Sequence, residues 1–235
     1  MKFSRQQTED LENFYFSVSE EIIRVLKPGS FFLSFSSPRL YHSIAWATNR
    51  AGFEIRDMII WSHGGGQTKQ FKMDHFINSD KKMGNDKKKK LKEQMAGWVT
   101  PQPQPTFEPI CMAQKPKSGT FIHNMEEYGV GLLRQGIITS TIECPKPNTE
   151  ERGGKYNNHI SVKPLVVVEK LIVAFSQSGQ IVLDPFMGSG TTALASILTN
   201  RKWIGIEREP EYCDIIKHRL NNSNLDEFFQ KMPEN

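Results

Sequence analysis

The chain has 235 residues, enough for one sizeable hydrophobic core or two small ones. Lysine and arginine (30) outnumber aspartate and glutamate (26), a formal net charge of +4 that suits a polyanionic partner. No apolar run is long enough to span a membrane and no signal-peptide pattern is present; with Cys111, Cys144 and Cys213 in no Cys-x-x-Cys spacing, free thiols in a reducing cytoplasm are expected, and neither a disulfide framework nor a metal site.

In chain order, Leu11, Phe14, Tyr15, Val18, Ile22 and Val25 recur every three or four residues, which predicts a helix over 8–26. Lys27-Pro28-Gly29 stops it, and Phe31 to Phe35 reads as a buried strand. Residues 41–51 predict a second helix closed by Gly52, and 53–61 a second strand. At Ser62 the composition changes. His63-Gly64-Gly65-Gly66 is followed by lysines at 69, 72, 81, 82, 87, 88, 89, 90 and 92, interrupted by Phe71, His75 and Phe76. Such a stretch is either a solvated charge run or a surface for phosphates with aromatic rings set beside bases. Pro101, Pro103 and Pro105 exclude a regular element there; Pro109 to Ala113 resumes a strand, and 118–156 reads as polar and irregular.

The most informative stretch is Ile181-Val182-Leu183-Asp184-Pro185-Phe186-Met187-Gly188-Ser189-Gly190-Thr191-Thr192. A short apolar strand breaks at Asp184-Pro185. Gly188 and Gly190 permit a tight turn, and a helix starts at Thr191. A strand, a glycine loop and a helix start form a pocket in which backbone N–H groups face a ligand. The next strand, 202–206, ends at Glu207, about 20 residues past the loop, where an acidic side chain accepts ribose hydroxyl protons. A final helix is expected over 211–220, with a loosely held tail after Asn221.

Asp184-Pro185-Phe186-Met187-Gly188-Ser189-Gly190-Thr191-Thr192, followed by Ile204-Gly205-Ile206-Glu207, resembles the S-adenosylmethionine site of the DNA amino-methyltransferases. That family methylates the exocyclic nitrogen of adenine (N6) or cytosine (N4). The resemblance implies an α/β fold: a Rossmann-like sheet flanked by helices, with an irregular basic recognition insertion. It implies a target-base half over 1–62, a DNA-recognition insertion over 63–156 and a cofactor half over 157–235. Cofactor contacts are expected from Asp184, Pro185, Phe186, Gly188, Ser189, Gly190, Thr191, Thr192 and Glu207. His159 and Lys163 join them, because Asn158-His159-Ile160-Ser161-Val162-Lys163-Pro164 resembles the family's His-Pro-Thr-x-Lys-Pro motif, with Ile160-Ser161 in place of Pro-Thr. The bland alternative for those two is a helix lead-in with solvated side chains. Lys69, Lys72, Lys87, Lys88, Lys89 and Lys90 are the expected contacts to double-stranded DNA. The reaction implied is site-specific DNA methylation of the restriction-modification kind.

One family motif has no counterpart. An acid, Pro-Pro and an aromatic residue grip the target amine and base in this family, and no such tetrapeptide occurs here. Ser37-Pro38-Arg39 lacks the second proline, follows the wrong strand and reads as a turn. No catalytic residue is therefore assigned. In this motif order the tetrapeptide belongs before the first helix, with two strands, one of them the central neighbour of 181–184. Their absence leaves backbone groups of the flanking strands unpaired. Either 31–35 closes directly on 181–184, or a partner segment fills the slot. A truncated or split enzyme is expected, complemented by an N-terminal polypeptide or a homodimer partner; the alternative is a non-catalytic subunit binding DNA and cofactor.

Overall fold

In the computed structural model, which describes residues 4–66 and 70–222, the chain forms two compact units: Gly64–Phe107, and the rest. The larger unit begins with helix α1 (Arg5–Val25), started by Ser4, whose hydroxyl accepts from the Gln7 N–H while the Gln7 side chain accepts from the Ser4 N–H. Such a reciprocal cap satisfies two donors that a helix start otherwise leaves orphaned. The far end is closed by Lys115, whose Nζ donates to the Ile23 and Leu26 carbonyls at 2.7 Å each.

Strand β1 (Phe31–Phe35), helix α2 (Tyr41–Arg50) and strand β2 (Glu54–Ser62) follow, with strand β3 (Phe107–Gln114) returning antiparallel to β1. These lie within one residue or two of the sequence expectation. Leu33 and Phe35 of β1 turn to one face with Ile110, while Phe32, Cys111 and Ala113 turn to the other, as strand alternation requires. α1 and α2 cover the second face through Ile22 and Ile44.

Residues 118–156, expected to be irregular, carry order. Helix α5 (Phe121–Tyr128) is capped by the Thr120 hydroxyl, and β4 (Thr141–Glu143) pairs parallel with β2. β4 is held by its ladder to β2 and by buried Ile142; around α5 the order comes from Asn124, only 1 % exposed, whose amide donates to the Pro28 and Val130 carbonyls and accepts from the Ser118 N–H. A polar side chain that replaces backbone pairing leaves no apolar pattern to read. The strand order is β1-β3-β2-β4.

Helix α6 (Leu165–Phe175), with Glu169 and Lys170 as its charged residues, is apolar on two sides and packs in two directions. Val167 and Leu171 pack on β2 and β3, while Leu165, Val168 and Ile172 pack against helix α7 (Thr191–Leu198). Strand β5 (Ile181–Asp184) pairs parallel with β6 (Lys202–Gly205), and helix α8 (Pro210–Asn222) closes the described chain. β5 and β6 form a separate two-stranded sheet, so β1 does not close on β5. The first of the two sequence alternatives is thereby corrected.

The smaller unit holds helices α3 (Met73–Ser79) and α4 (Asn85–Gln94). The expectation of an irregular lysine stretch is corrected here too: lysine is a good helix former, and Asp86 sits favourably in the first turn of α4. Cys111, Cys144 and Cys213 are free, and no helix among the described residues is long and apolar enough to cross a membrane. The tail expectation beyond Asn222 lies outside the described residues.

Candidate functional site

Asp184 ends β5 and organises the loop after it. Its Oδ1 accepts from the Phe186 N–H at 2.9 Å and its Oδ2 from the Thr192 hydroxyl at 2.6 Å. One carboxylate therefore ties the strand end to the first turn of α7, across the two glycines. Gly188 has φ +55° and Gly190 φ +86°, left-handed values that disfavour side chains. Space forbids them as well: a Cβ on Gly188 would lie 2.9 Å from His159 Nε2, and one on Gly190 3.0 Å from Ile216.

Glu207 approaches the same loop. Its Oε2 accepts from the Gly188 N–H at 2.7 Å and its Oε1 from the Glu209 N–H at 3.0 Å. Each oxygen keeps a second lone pair, so the carboxylate can still accept from a diol while it holds the loop. His159 lies over Gly188 and edge-on to Tyr212. Its Nδ1 accepts from the Ser161 N–H at 3.3 Å, which leaves the proton of the neutral ring on Nε2.

Lys163 is placed differently from its neighbours. Its Nζ donates to Glu108 at 2.6 Å and to Ser161, and sits over the Phe35 and Trp61 rings. Nine of the eleven expected cofactor residues line one cavity of about 650 Å³; Gly190 and Glu207 do not, although Glu207 holds the loop that does. Pockets for small molecules span about 300–1,000 Å³. Phe186 is brought onto α1, where its ring lies against Phe14 and Tyr15. Ser37-Pro38-Arg39 is the turn that starts α2, the Ser37 carbonyl accepting from the Tyr41 N–H.

Arg219 was not legible in the sequence as a site residue. From α8 its Nη1 donates to the Ser189 carbonyl (2.7 Å), the Ser189 hydroxyl (3.1 Å) and the Thr191 hydroxyl (3.2 Å). Its Nη2 reaches the Glu151 carbonyl at 3.4 Å, and the Glu151 carboxylate accepts from the first N–H of α6. Burial lowers the Arg219 pKa and the Glu151 charge opposes that. Arg219 thus joins the glycine loop to the 148–163 segment that carries His159. Its only sequence signal is a cation on the inner face of the last helix. Arg219→Met keeps the apolar stem and removes every donor; cofactor affinity, read by calorimetric titration, is expected to fall about tenfold, with Arg219→Lys between the two.

The His159 pKa is lowered from its ordinary value, chiefly by burial; Glu207 opposes this, while Arg152, Lys163 and Arg219 add to it. A depressed folded-state value means that the unfolded chain binds the proton first. The contribution of His159 to stability is complete above about pH 6.5 and is lost as pH falls through the lowered folded value. The melting temperature is expected to drop more steeply on the acid side for the wild type than for His159→Gln.

Of the expected DNA contacts, Lys69 lies outside the described residues. Lys72 precedes α3, and Lys87, Lys88, Lys89 and Lys90 are consecutive on α4. Successive helical residues point about 100° apart, so these four surround the helix and do not share a face. Phe71, Phe76 and Trp98 are exposed aromatic side chains of the same unit.

A parallel strand, a glycine loop, a helix start and an acidic residue holding the loop, beside a cavity of this size, define a Rossmann-like methyltransferase site. The N6/N4 DNA methylase family matches residues 2–218, and the chain belongs to that family. By family it is an enzyme, an S-adenosylmethionine-dependent DNA amino-methyltransferase. It is 29% identical over 240 residues to the type II methyltransferase M.HindIII of Haemophilus influenzae, covering 97% of this chain and 74% of that one. It is 28% identical over 222 residues to M.BamHI of Bacillus amyloliquefaciens, covering 91% of this chain and 47% of the relative. Among solved structures, PvuII DNA methyltransferase (cytosine-N4-specific) matches in fold with a TM-score of 0.62 at 16% identity, covering 98% and 79% of the two chains. The complex of M1.HpyAVI with S-adenosylmethionine matches with a TM-score of 0.60 at 23% identity, covering 89% and 84%.

Proposed function

We propose that the chain takes part in site-specific transfer of a methyl group from S-adenosylmethionine to the exocyclic amine of adenine or cytosine in double-stranded DNA. The observation that carries this is the loop from Asp184 to Thr192, closed on itself by Asp184 and held by Glu207. The residues fit the cofactor: the glycines leave the backbone bare, and Glu207 retains free lone pairs for a ribose diol. When bound, S-adenosylmethionine supplies an electrophilic methyl group on a sulfonium.

The chain's own residues hold and orient. Asp184 fixes the loop shape, with the Gly188 N–H donated to Glu207 and the Gly190 N–H to the Met187 carbonyl. Pro185, Phe186, Ser189, Thr191 and Thr192 would form the cofactor wall. His159 closes over Gly188. Lys163, engaged by Glu108, would act through the local charge near the cavity more than by direct contact. No residue is assigned to the target amine.

Recognition is proposed for 63–156, with Lys72 and one side of α4 meeting phosphates and the exposed aromatic rings of Phe71 and Phe76 meeting bases. Since Lys87 to Lys90 encircle their helix, changing all four to alanine is expected to lower the salt slope of DNA binding by about two phosphate contacts, not four.

A second reading is favoured by the edge of β5 opposite β6, which no other strand among the described residues pairs. Here the chain is the recognition-and-cofactor part of a two-piece enzyme and needs a complementary polypeptide. Transfer of a labelled methyl group to mixed-sequence DNA, with Asp184→Ala as control, tests the first reading. Transfer by the chain alone that the control abolishes supports it. No transfer alone, but transfer with an added complementary segment, supports the second.

A further inference from the structure

The cavity beside the glycine loop has one cation in its wall. Among the described residues that line it, Lys163 and Asp184 alone carry a full charge at neutral pH; His159, its pKa lowered, is neutral there. Asp184 is occupied by the Phe186 N–H and the Thr192 hydroxyl. Lys163 is occupied as well. Of its three N–H donors, one meets Glu108 Oε2 at 2.6 Å and one Ser161 Oγ at 3.1 Å, and the ammonium lies over the Phe35 and Trp61 rings, 5.2 and 5.7 Å from their centres. Lys163 therefore acts on the cavity by charge more than by contact.

An uncompensated cation in that wall is ill matched to the cofactor. S-adenosylmethionine carries a positive sulfonium. When the methyl group leaves, the sulfur keeps the bonding electron pair and becomes the neutral thioether of S-adenosylhomocysteine. The amino and carboxylate groups are the same in both, so the two molecules differ by one methyl group and one positive charge. A cavity of about 650 Å³ is roughly 10 Å across, a range over which two charges still interact when the medium between them is poorer in water than bulk solvent. Glu108 does not line the cavity. It is the second residue of β3, and its side chain is 24% exposed against 22% for that of Lys163. A pair so sheltered is screened by salt less than a surface pair.

We propose that Glu108 compensates the charge of Lys163 and so makes the cavity prefer the cationic cofactor to its neutral product. The inference rests on the methyltransferase reading above and assigns Glu108 a positioning role, since it acts through Lys163. With the pair intact, the charge left facing a ligand is that of Asp184 and of Glu207 on the loop, which is negative and suits a sulfonium. The bland alternative is a structural tie between β3 and the segment before α6. A tie of that kind supports both ligands alike; charge compensation favours one of them.

The test titrates the full chain calorimetrically with S-adenosylmethionine and with S-adenosylhomocysteine. Glu108→Gln keeps the shape and an oxygen acceptor for Lys163 and removes only the charge. Affinity for S-adenosylmethionine is expected to fall about fivefold, while that for S-adenosylhomocysteine stays within about twofold. Glu108→Gln combined with Lys163→Met removes both charges, and the ratio of the two affinities is expected to return to within about twofold of the wild-type ratio. That ratio does not depend on how much of a variant is folded, because partial unfolding weakens both ligands by the same factor. Equal losses for the two ligands, an unchanged ratio in Glu108→Gln, or a ratio that the double variant does not restore overturns the proposal. Wild-type chain that binds neither ligand overturns the cofactor reading along with it; wild-type chain that binds both, with no selective loss in Glu108→Gln, overturns this inference alone.

Discussion

Asp184→Ala is expected to weaken S-adenosylmethionine binding by about a hundredfold or more and to abolish methyl transfer. The aspartate accepts two hydrogen bonds, from the Phe186 N–H and from the Thr192 hydroxyl. Bonds to a charged group contribute about 1.5–3 kcal/mol each, and alanine leaves both donors without their acceptor. A combined loss of about 3–6 kcal/mol corresponds to roughly two to four decades if it all appears in cofactor binding. Asp184→Asn separates shape from charge. Its remaining oxygen still accepts from Phe186, and the Thr192 hydroxyl can turn to accept from the new amide. A milder loss, about tenfold, is therefore expected. Calorimetric titration with the cofactor reads both variants. Retention of affinity within about threefold in the alanine variant would mean that the loop holds its shape without Asp184, and the site as described would be wrong.

Gly188→Ala is expected to have the next largest effect, through two separable causes. A left-handed φ costs a non-glycine residue about 1–2 kcal/mol, and the new methyl meets His159 Nε2 at 2.9 Å. The ring cannot simply move aside, since it is packed edge-on against Tyr212. Cofactor affinity should fall between about tenfold and a hundredfold. His159→Ala removes the obstruction and leaves the backbone cost. The double variant should therefore lose less than the two single losses combined, with a coupling of about 1 kcal/mol. Additive losses would show that His159 does not close over the loop. Thermal unfolding of the four proteins gives the same cycle for stability.

Local periodicity carried most of the element assignments. The stripe of Leu11 to Val25, the apolar runs of β1, β5 and β6 and the punctuation at Gly29, Gly52 and Asp184-Pro185 depend on neighbours in sequence, so they were readable there. The glycine loop was readable for the same reason: strand, turn and helix start are contiguous, and their residue types are constrained by backbone geometry. What the sequence left unread was of two kinds, both of them elements of secondary structure. Lys87 to Lys90 were read by charge alone, and charge does not show that a helix spreads them around its axis. α5 was missed because side-chain bonds such as those of Asn124, not apolar spacing, order its surroundings, and β4 because three residues with one buried side chain, Ile142, are too short to show a period.

The sequence by itself determined the family, the α/β class, the position of the glycine loop and the acid that serves it. Those features are short-range and chemically specific. Only the tertiary structure decided that Lys163 is engaged by Glu108, that Arg219 on the last helix holds Ser189 and Thr191, and that β3 pairs with β1 and β6 with β5 in two separate sheets. Each of these joins residues tens of positions or more apart in the chain. A sequence states which partners exist, but the closure of the chain upon itself determines which donor meets which acceptor and which edge is left without one.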